Sequence, residues 1–326
     1  LYTVHMRSEG NQFLEAIEET FRVGREADIP IKIHHLKAGG QPNWPKMDEA
    51  IALINAYRTD GGEVTADMYN YTAGATGLEA SMPTWVQAGG YQQWAARLRD
   101  PEIRARVKAE MATNAEDWEN LGYLAGPEGM LLIGFKNPAL RPYVGKTLAA
   151  VAAERGQDYR DTIIDLVIED GSRVETVYFL MSENNLKKQM RQPWMMFGSD
   201  AATLATEGET LEQSAHPRAY GNVARVLGHY VRDEQVISLQ EAVRRLTSLP
   251  ADTLKIAQRG RLAPGYFADV VVFDPNKVAD HATFDAPHAY ATGMQHVLVN
   301  GVPVIADGAH TGATPGRAVY GPGHSP

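Results

Sequence analysis

Three short apolar runs in the first 71 residues alternate with two stretches of helical spacing, and that alternation leaves few folds open. LYTVHM (1–6), IKIHHL (31–36) and EVTADMYNY (63–71) read as strands. Between them, Phe13, Leu14, Ile17, Phe21 and Val23 recur at near-helical spacing until Pro30, and Met47 to about Thr59 forms a second helix closed by Gly61-Gly62. Strand, helix, strand, helix, strand implies parallel strands, because parallel neighbours need a long crossover rather than a tight turn. The expected fold class is α/β.

The rhythm then breaks. Residues 72 to about 190 hold several helices, near 101–112 and 158–169 among others, and a short strand at VETVYFL (174–180). This reads as an insertion between successive strands of the sheet. MMFGSDA (195–201) resumes the buried-strand pattern, and helices follow at about 218–232 and 238–248. ADVVVFDP (268–275) and HVLVNGVPVIADGAHTG (296–312) are β-rich, with Asn300-Gly301 a hairpin signal. The chain thus divides into sheet strands and helices at 1–71, an insertion at 72–190, a completing segment at 191–258, and a small β domain with its tail at 259–326. The last ten or so residues, rich in Gly and Pro, are predicted to lack regular structure.

Polar residues collect at the C-terminal ends of these strands: His5 on the first, His34 and His35 on the second, Asp67 and Tyr69 on the third, Asp200 on the resumed one. That edge is where parallel α/β proteins carry their sites. Imidazoles and an ammonium such as Lys37 are costly to bury unless something pairs them. Two histidines on successive strands plus a late aspartate can hold a divalent metal and activate water. Taken singly, a strand histidine is more often a satisfied core residue than a ligand, and the aspartate of GSDA also suits a helix cap. A net charge of −9, with no basic run, argues against nucleic acid or an anionic membrane as the main partner. No stretch is long and apolar enough to span a bilayer. With no cysteine, neither disulfides nor thiolate ligands come from this chain, and the redox compartment stays open.

VHMRSEG, HHLKAGGQPNWPK, DMYNYTAGATGL, FGSDA, HPRAYG, RVLGHYVR, RRLTSLPADTL, GRLAPGYFADVVVFDP and VLVNG together resemble, in that order, the D-aminoacylase (N-acyl-D-amino-acid deacylase) family of the amidohydrolase superfamily. The tail motifs are shared across the superfamily; the HMR, HHLK…NW and HPR…G combination narrows the resemblance to the deacylases. It implies a TIM-like (β/α)8 metal-dependent hydrolase barrel, of which this chain looks like the C-terminal half, with a lid insertion and a small β domain. By position, His5 and His35 match zinc ligands, for one or two Zn2+ ions, and His34 is left as structural. Asp200 matches the general base and acid. Lys37 and Arg218 match residues that hold the substrate carboxylate, a task a guanidinium fork suits better than an ammonium. On their own, Arg218 also suits a surface position beside a helix start, and Lys37 a pair with a nearby carboxylate. Asp67 and Tyr69 read as supporting or packing residues.

The implied reaction is hydrolysis of the amide of an N-acyl-D-amino acid, a small-molecule substrate. A cyclic amidohydrolase of the hydantoinase or dihydroorotase kind fits the tail equally but not HPR or the NW loop. The family's barrel opens with HxH and a bridging ligand, often Cys, and neither pattern occurs here. LYTVHM, with no Met, cap or turn before it, reads as the middle of a strand. The expectation is therefore a chain starting near the fifth barrel strand, with a companion N-terminal segment or chain carrying HxH, in an arrangement compatible with an oligomer. A non-catalytic fragment that works only with its other half is the remaining alternative.

Overall fold

The computed structural model describes residues 1–324; Ser325 and Pro326, the end of the tail, lie outside the described residues. The first strand β1 (Tyr2–Val4) leads into helix α1 (Phe13–Ala27), strand β2 (Ile31–Ile33), helix α2 (Lys46–Thr59) and strand β3 (Val64–Met68). α1 buries Phe13, Ala16, Ile17, Thr20, Phe21 and Gly24, a stripe at i, i+3, i+4 spacing. Gly24 lets the helix lie close on the sheet: a Cβ there would fall 2.4 Å from Ile31 Cδ1. α1 ends where Asp28 turns to left-handed backbone (φ 50) ahead of Pro30.

The three strands are parallel, with Tyr2 opposite Ile31 and Ile31 opposite Val64. β1 and β2 stop sooner than the apolar runs predict. His5 and the His34-His35 pair lie beyond the strands, because His35 has φ 34, which no ladder position accommodates.

The insertion carries a sheet of its own. β4 (Ala73–Gly77), β5 (Met130–Gly134) and β6 (Glu175–Phe179) form an antiparallel sheet in the order β4-β6-β5. Only β6 is visible in the sequence pattern; AGATG looks like a loop and becomes a strand because β6 pairs along its whole length. Helices Tyr91–Arg99, Pro101–Met111, Leu148–Arg155 and Tyr159–Asp170 also belong to the insertion, with Leu148–Arg155 packed on β5. β7 (Met195–Phe197) then returns to the first sheet and pairs parallel with β3, Ala66 opposite Met195 and Met68 opposite Phe197. The order β1-β2-β3-β7 leaves β1 and β7 as its two edges among the described residues.

Helix Arg218–Arg225 continues into π-type turns at Val226–Asp233, and helix Leu239–Leu246 follows. The last unit is an antiparallel sheet of β8 (Val270–Phe273), β9 (Met294–Val299), β10 (Val302–Ala306) and β11 (Ala309–His310). Asn300 and Gly301 both take positive φ, as a two-residue hairpin turn between β9 and β10 requires. Among the described residues no helix is long and apolar enough to cross a membrane.

Candidate active site

Because β1, β2, β3 and β7 run in parallel, whatever follows each strand emerges at the same edge. There the chain places His5, His35, Lys37, Tyr69 and Asp200 around a cleft of about 1360 Å³, lined also by residues of the insertion. His5 Nδ1 and His35 Nε2 face each other at 3.0 Å. His35 Nδ1 lies 3.0 Å from Glu9 Oε1, a buried carboxylate that also binds the Lys37 ammonium. Burial pushes the Glu9 carboxyl up, but Lys37 and His35 more than cancel it and the net direction is down. Lys37 is the mirror case, lowered by burial and raised further by Glu9. The pair is ionised and closed on itself, so Lys37 meets a carboxylate of the chain.

A second layer holds the histidine loop in shape. The His35 backbone N–H donates to Asp67 Oδ1 at 2.5 Å, which steadies a left-handed residue at the strand end. Asp67 also pairs with Lys32, the buried cation in the middle of β2. His34 turns from the cluster toward this pair, its Nδ1 3.7 Å from Asp67 Oδ2.

On the other side of the cleft, Asp200 sits on left-handed backbone (φ 48) with its side chain 45% exposed. Its Oδ2 lies 3.0 Å from Arg218 Nη1. Arg218 is buried, with its guanidinium 4.4 Å from the centre of the Tyr69 ring, while Lys37 approaches the same ring at 5.8 Å. Neither Nε nor Nη1 of Arg218 has a hydrogen-bond acceptor among the described residues; the Asp200 contact is close but poorly aligned. A buried guanidinium that lines a cleft and has two donors short of acceptors is suited to an anion with two oxygens.

Ligand atoms of His5, Glu9 and His35 all lie within 4.8 Å of one another. Glu183, His229 and Glu234 gather similarly, but Lys187 reaches Glu234 at 2.5 Å and Glu183 at 3.8 Å, which makes that group an ion network around an ammonium. A smaller cleft of about 770 Å³ lies against α1 and α2, where surface pairs such as Arg7–Glu19 form its wall.

Residues 2–305 match the model of the amidohydrolase family. The chain belongs to that family. This amidohydrolase is 35% identical over 319 residues to a D-aminoacylase of Alcaligenes xylosoxydans xylosoxydans, covering 98% of the chain and 54% of the relative. A crystal structure of D-aminoacylase superposes with a TM-score of 0.73 at 34% identity, over 96% of this chain and 54% of the other. An N-acyl-D-glutamate deacylase from Bordetella bronchiseptica, complexed with zinc and a phosphonate mimic of the tetrahedral intermediate, gives 0.72 at 32% identity, over 94% and 54%. The chain spans about half the length of these relatives.

Reading the amidohydrolase from its residues alone missed Glu9 and the placement of Tyr69. Glu9 lies in a loop without periodicity; its one signal is a carboxylate four positions after a strand-end histidine. Tyr69 reads as packing, and its ring is indeed buried, but it packs close to two cations of the cleft, Arg218 and Lys37.

His216, two residues before Arg218, fixes that side chain's approach. Its Nδ1 accepts the Arg218 backbone N–H at 3.0 Å and its Nε2 lies 2.8 Å from Ala73 O, so the imidazole is neutral with its proton on Nε2. Burial, aided by the Arg218 charge, lowers its pKa from 6.5 to about 3. The unfolded chain therefore takes up a proton between those values that the folded chain excludes. Stability from this group is complete above the ordinary value and is lost as pH falls toward 3, amounting to about 2 kcal/mol by pH ~5. Denaturant midpoints of wild type and His216→Gln at neutral and mildly acidic pH check this: the variant should lose that part of the pH slope, and an identical slope would refute the assignment.

Proposed function

We propose that this chain supplies the metal-binding and carboxylate-binding side of a site that hydrolyses the amide bond of N-acyl-D-amino acids, releasing a carboxylate and a free D-amino acid. The observation that carries the reading is the meeting, in one cleft, of a paired-histidine cluster, an exposed aspartate and a buried arginine with open donors. The relatives' deacylase activity and zinc binding agree with it.

The donor set fits zinc. Two imidazole nitrogens face each other, and one ring is oriented through its second nitrogen by a carboxylate, the support that metal-ligating histidines commonly receive. His5 and His35 would hold the ion, with Glu9 steadying His35. Zinc generally takes four ligands, so the remainder would come from a companion segment or chain carrying HxH, or from solvent. When bound, the ion supplies Lewis acidity, polarising a carbonyl and acidifying water near pH ~7.

The chain's own residues do the rest. Arg218 takes the substrate's α-carboxylate, a better-aligned acceptor than Asp200, with Tyr69 and the Lys37 charge beside it. Asp200, released from that contact, takes a proton from the attacking water and returns it to the nitrogen of the leaving amine. The insertion acts as a lid that limits water and shapes the acyl pocket. A hydantoin ring carries no free carboxylate for Arg218, which favours the linear substrate over a hydantoin.

Zinc content tests the proposal together with turnover of N-acetyl-D-leucine. The protein that carries this chain should retain about one or two zinc ions per chain after dialysis. His35→Asn should lower the zinc content to a small fraction of that value. Zinc content unchanged by His35→Asn would remove His35 from the site, and absence of turnover in zinc-replete protein would overturn the deacylase reading.

A further inference from the structure

The geometry points to Glu79 as a specificity-determining residue: by masking Arg173 it fits the cleft to N-acyl-D-amino acids with uncharged side chains and turns away those carrying a second carboxylate. This rests on the deacylase reading and narrows its substrate class.

β4 forms the wall that leads away from the carboxylate grip. A Cβ on Gly74 would sit 3.0 Å from the Tyr69 hydroxyl and 4.0 Å from Lys37 Cε, so this face of β4 looks onto the two cations and the ring. Thr76 is two residues further along, on the same face, at a distance of roughly 7 Å. Its hydroxyl accepts a hydrogen bond from Arg173 Nη2 at 2.9 Å. Arg173 thus lines the same cleft further along β4 from the carboxylate grip, with 64% of its own side chain exposed. Left alone, it would be a ready partner for the carboxylate of a glutamate side chain.

It is not alone. Arg173 Nε is paired with Glu79 Oε1, and Glu79 is mostly buried, 13% exposed, so the pair is held in place from the protein side. Of the other two permanent cations of the cleft, Lys37 is matched in the same way by Glu9, and Arg218 faces Asp200 across a poorly aligned contact. Glu119 and Glu175 also line the cleft and have no cationic partner among the described residues. One substrate carboxylate can displace Asp200 from the open donors of Arg218. A second finds no free cation and two unmatched carboxylates. Tyr91, Trp94, Leu121 and Leu124 also line the cleft and suit an apolar side chain.

The test is calorimetric binding of N-acetyl-D-leucine and N-acetyl-D-glutamate to the zinc-loaded protein in an Asp200→Asn background, where turnover does not interfere. The leucine compound should bind about tenfold or more tightly. Glu79→Gln should shift the ratio toward the glutamate compound by about tenfold, and adding Arg173→Gln should cancel that shift, a rescue that general loosening of the insertion would not produce. A ratio unmoved by Glu79→Gln, or equal binding of both compounds to the unsubstituted cleft, overturns the inference while leaving the deacylase reading in place. If neither compound binds, the deacylase reading fails and the inference falls with it.

Discussion

Asp200→Asn is expected to lower kcat for N-acetyl-D-amino acids by about a thousandfold, with zinc content unchanged and KM altered little. Asparagine has the same shape and keeps an oxygen to face Arg218 Nη1, now 3.0 Å from the carboxylate, but it cannot accept a proton at neutral pH. Asp200 suits a proton carrier because it is neither locked nor desolvated: its side chain is 45% exposed and its contact with Arg218 is poorly aligned. The left-handed backbone at Asp200 directs the side chain out of the strand line and into the cleft, at a local cost of about 1 kcal/mol or more that the surrounding structure must bear. The measurement is steady-state kinetics alongside elemental analysis of the same preparation. A kcat within a few-fold of wild type would assign the proton transfer to another group.

Arg218→Lys is expected to lower kcat/KM by about a hundredfold or more, mainly through KM, although the charge is retained. The guanidinium lies 4.4 Å from the centre of the Tyr69 ring and has two N–H groups with no acceptor of their own. Lysine delivers a point charge on a flexible stem, and it loses both the ring contact and the paired donors. The control is a substrate analogue in which the α-carboxylate is an amide. Wild type should lose most of its kcat/KM on that analogue, and Arg218→Lys should discriminate little between analogue and parent. Equal losses on both compounds would mean that Arg218 supports the fold rather than the carboxylate.

The body of the sheet was legible because β1–α1–β2–α2–β3 writes its periodicity into the chain: Phe13, Ile17 and Phe21 mark the helix, and Ile31 and Ile33 the strand. Strand ends were legible because polar residues follow apolar ones there, as His5, His35 and Asp200 do. What stayed hidden depends on partners far away in sequence. Lys37 had an open choice between a substrate carboxylate and one of the chain's own; Glu9, 28 positions earlier, occupies it in the structure. β4 is made of Ala, Gly and Thr and carries no apolar signature, so its strand character exists only through β6. Tyr69 reads as core because it is core, and only the nearby cations Arg218 and Lys37 give it chemistry.

Met68 and Phe197 are register partners, yet the whole insertion intervenes between them in the chain. A segment whose entry and exit adjoin can be lengthened, trimmed or exchanged at little entropic cost to the strands it interrupts. His5, His35 and Asp200 belong to those strands' ends, whereas Glu79 and Arg173 belong to the segment. The chain is thereby modular: an engineer could graft new insertions between β3 and β7 while leaving the strand ends that carry His5, His35 and Asp200 as they are.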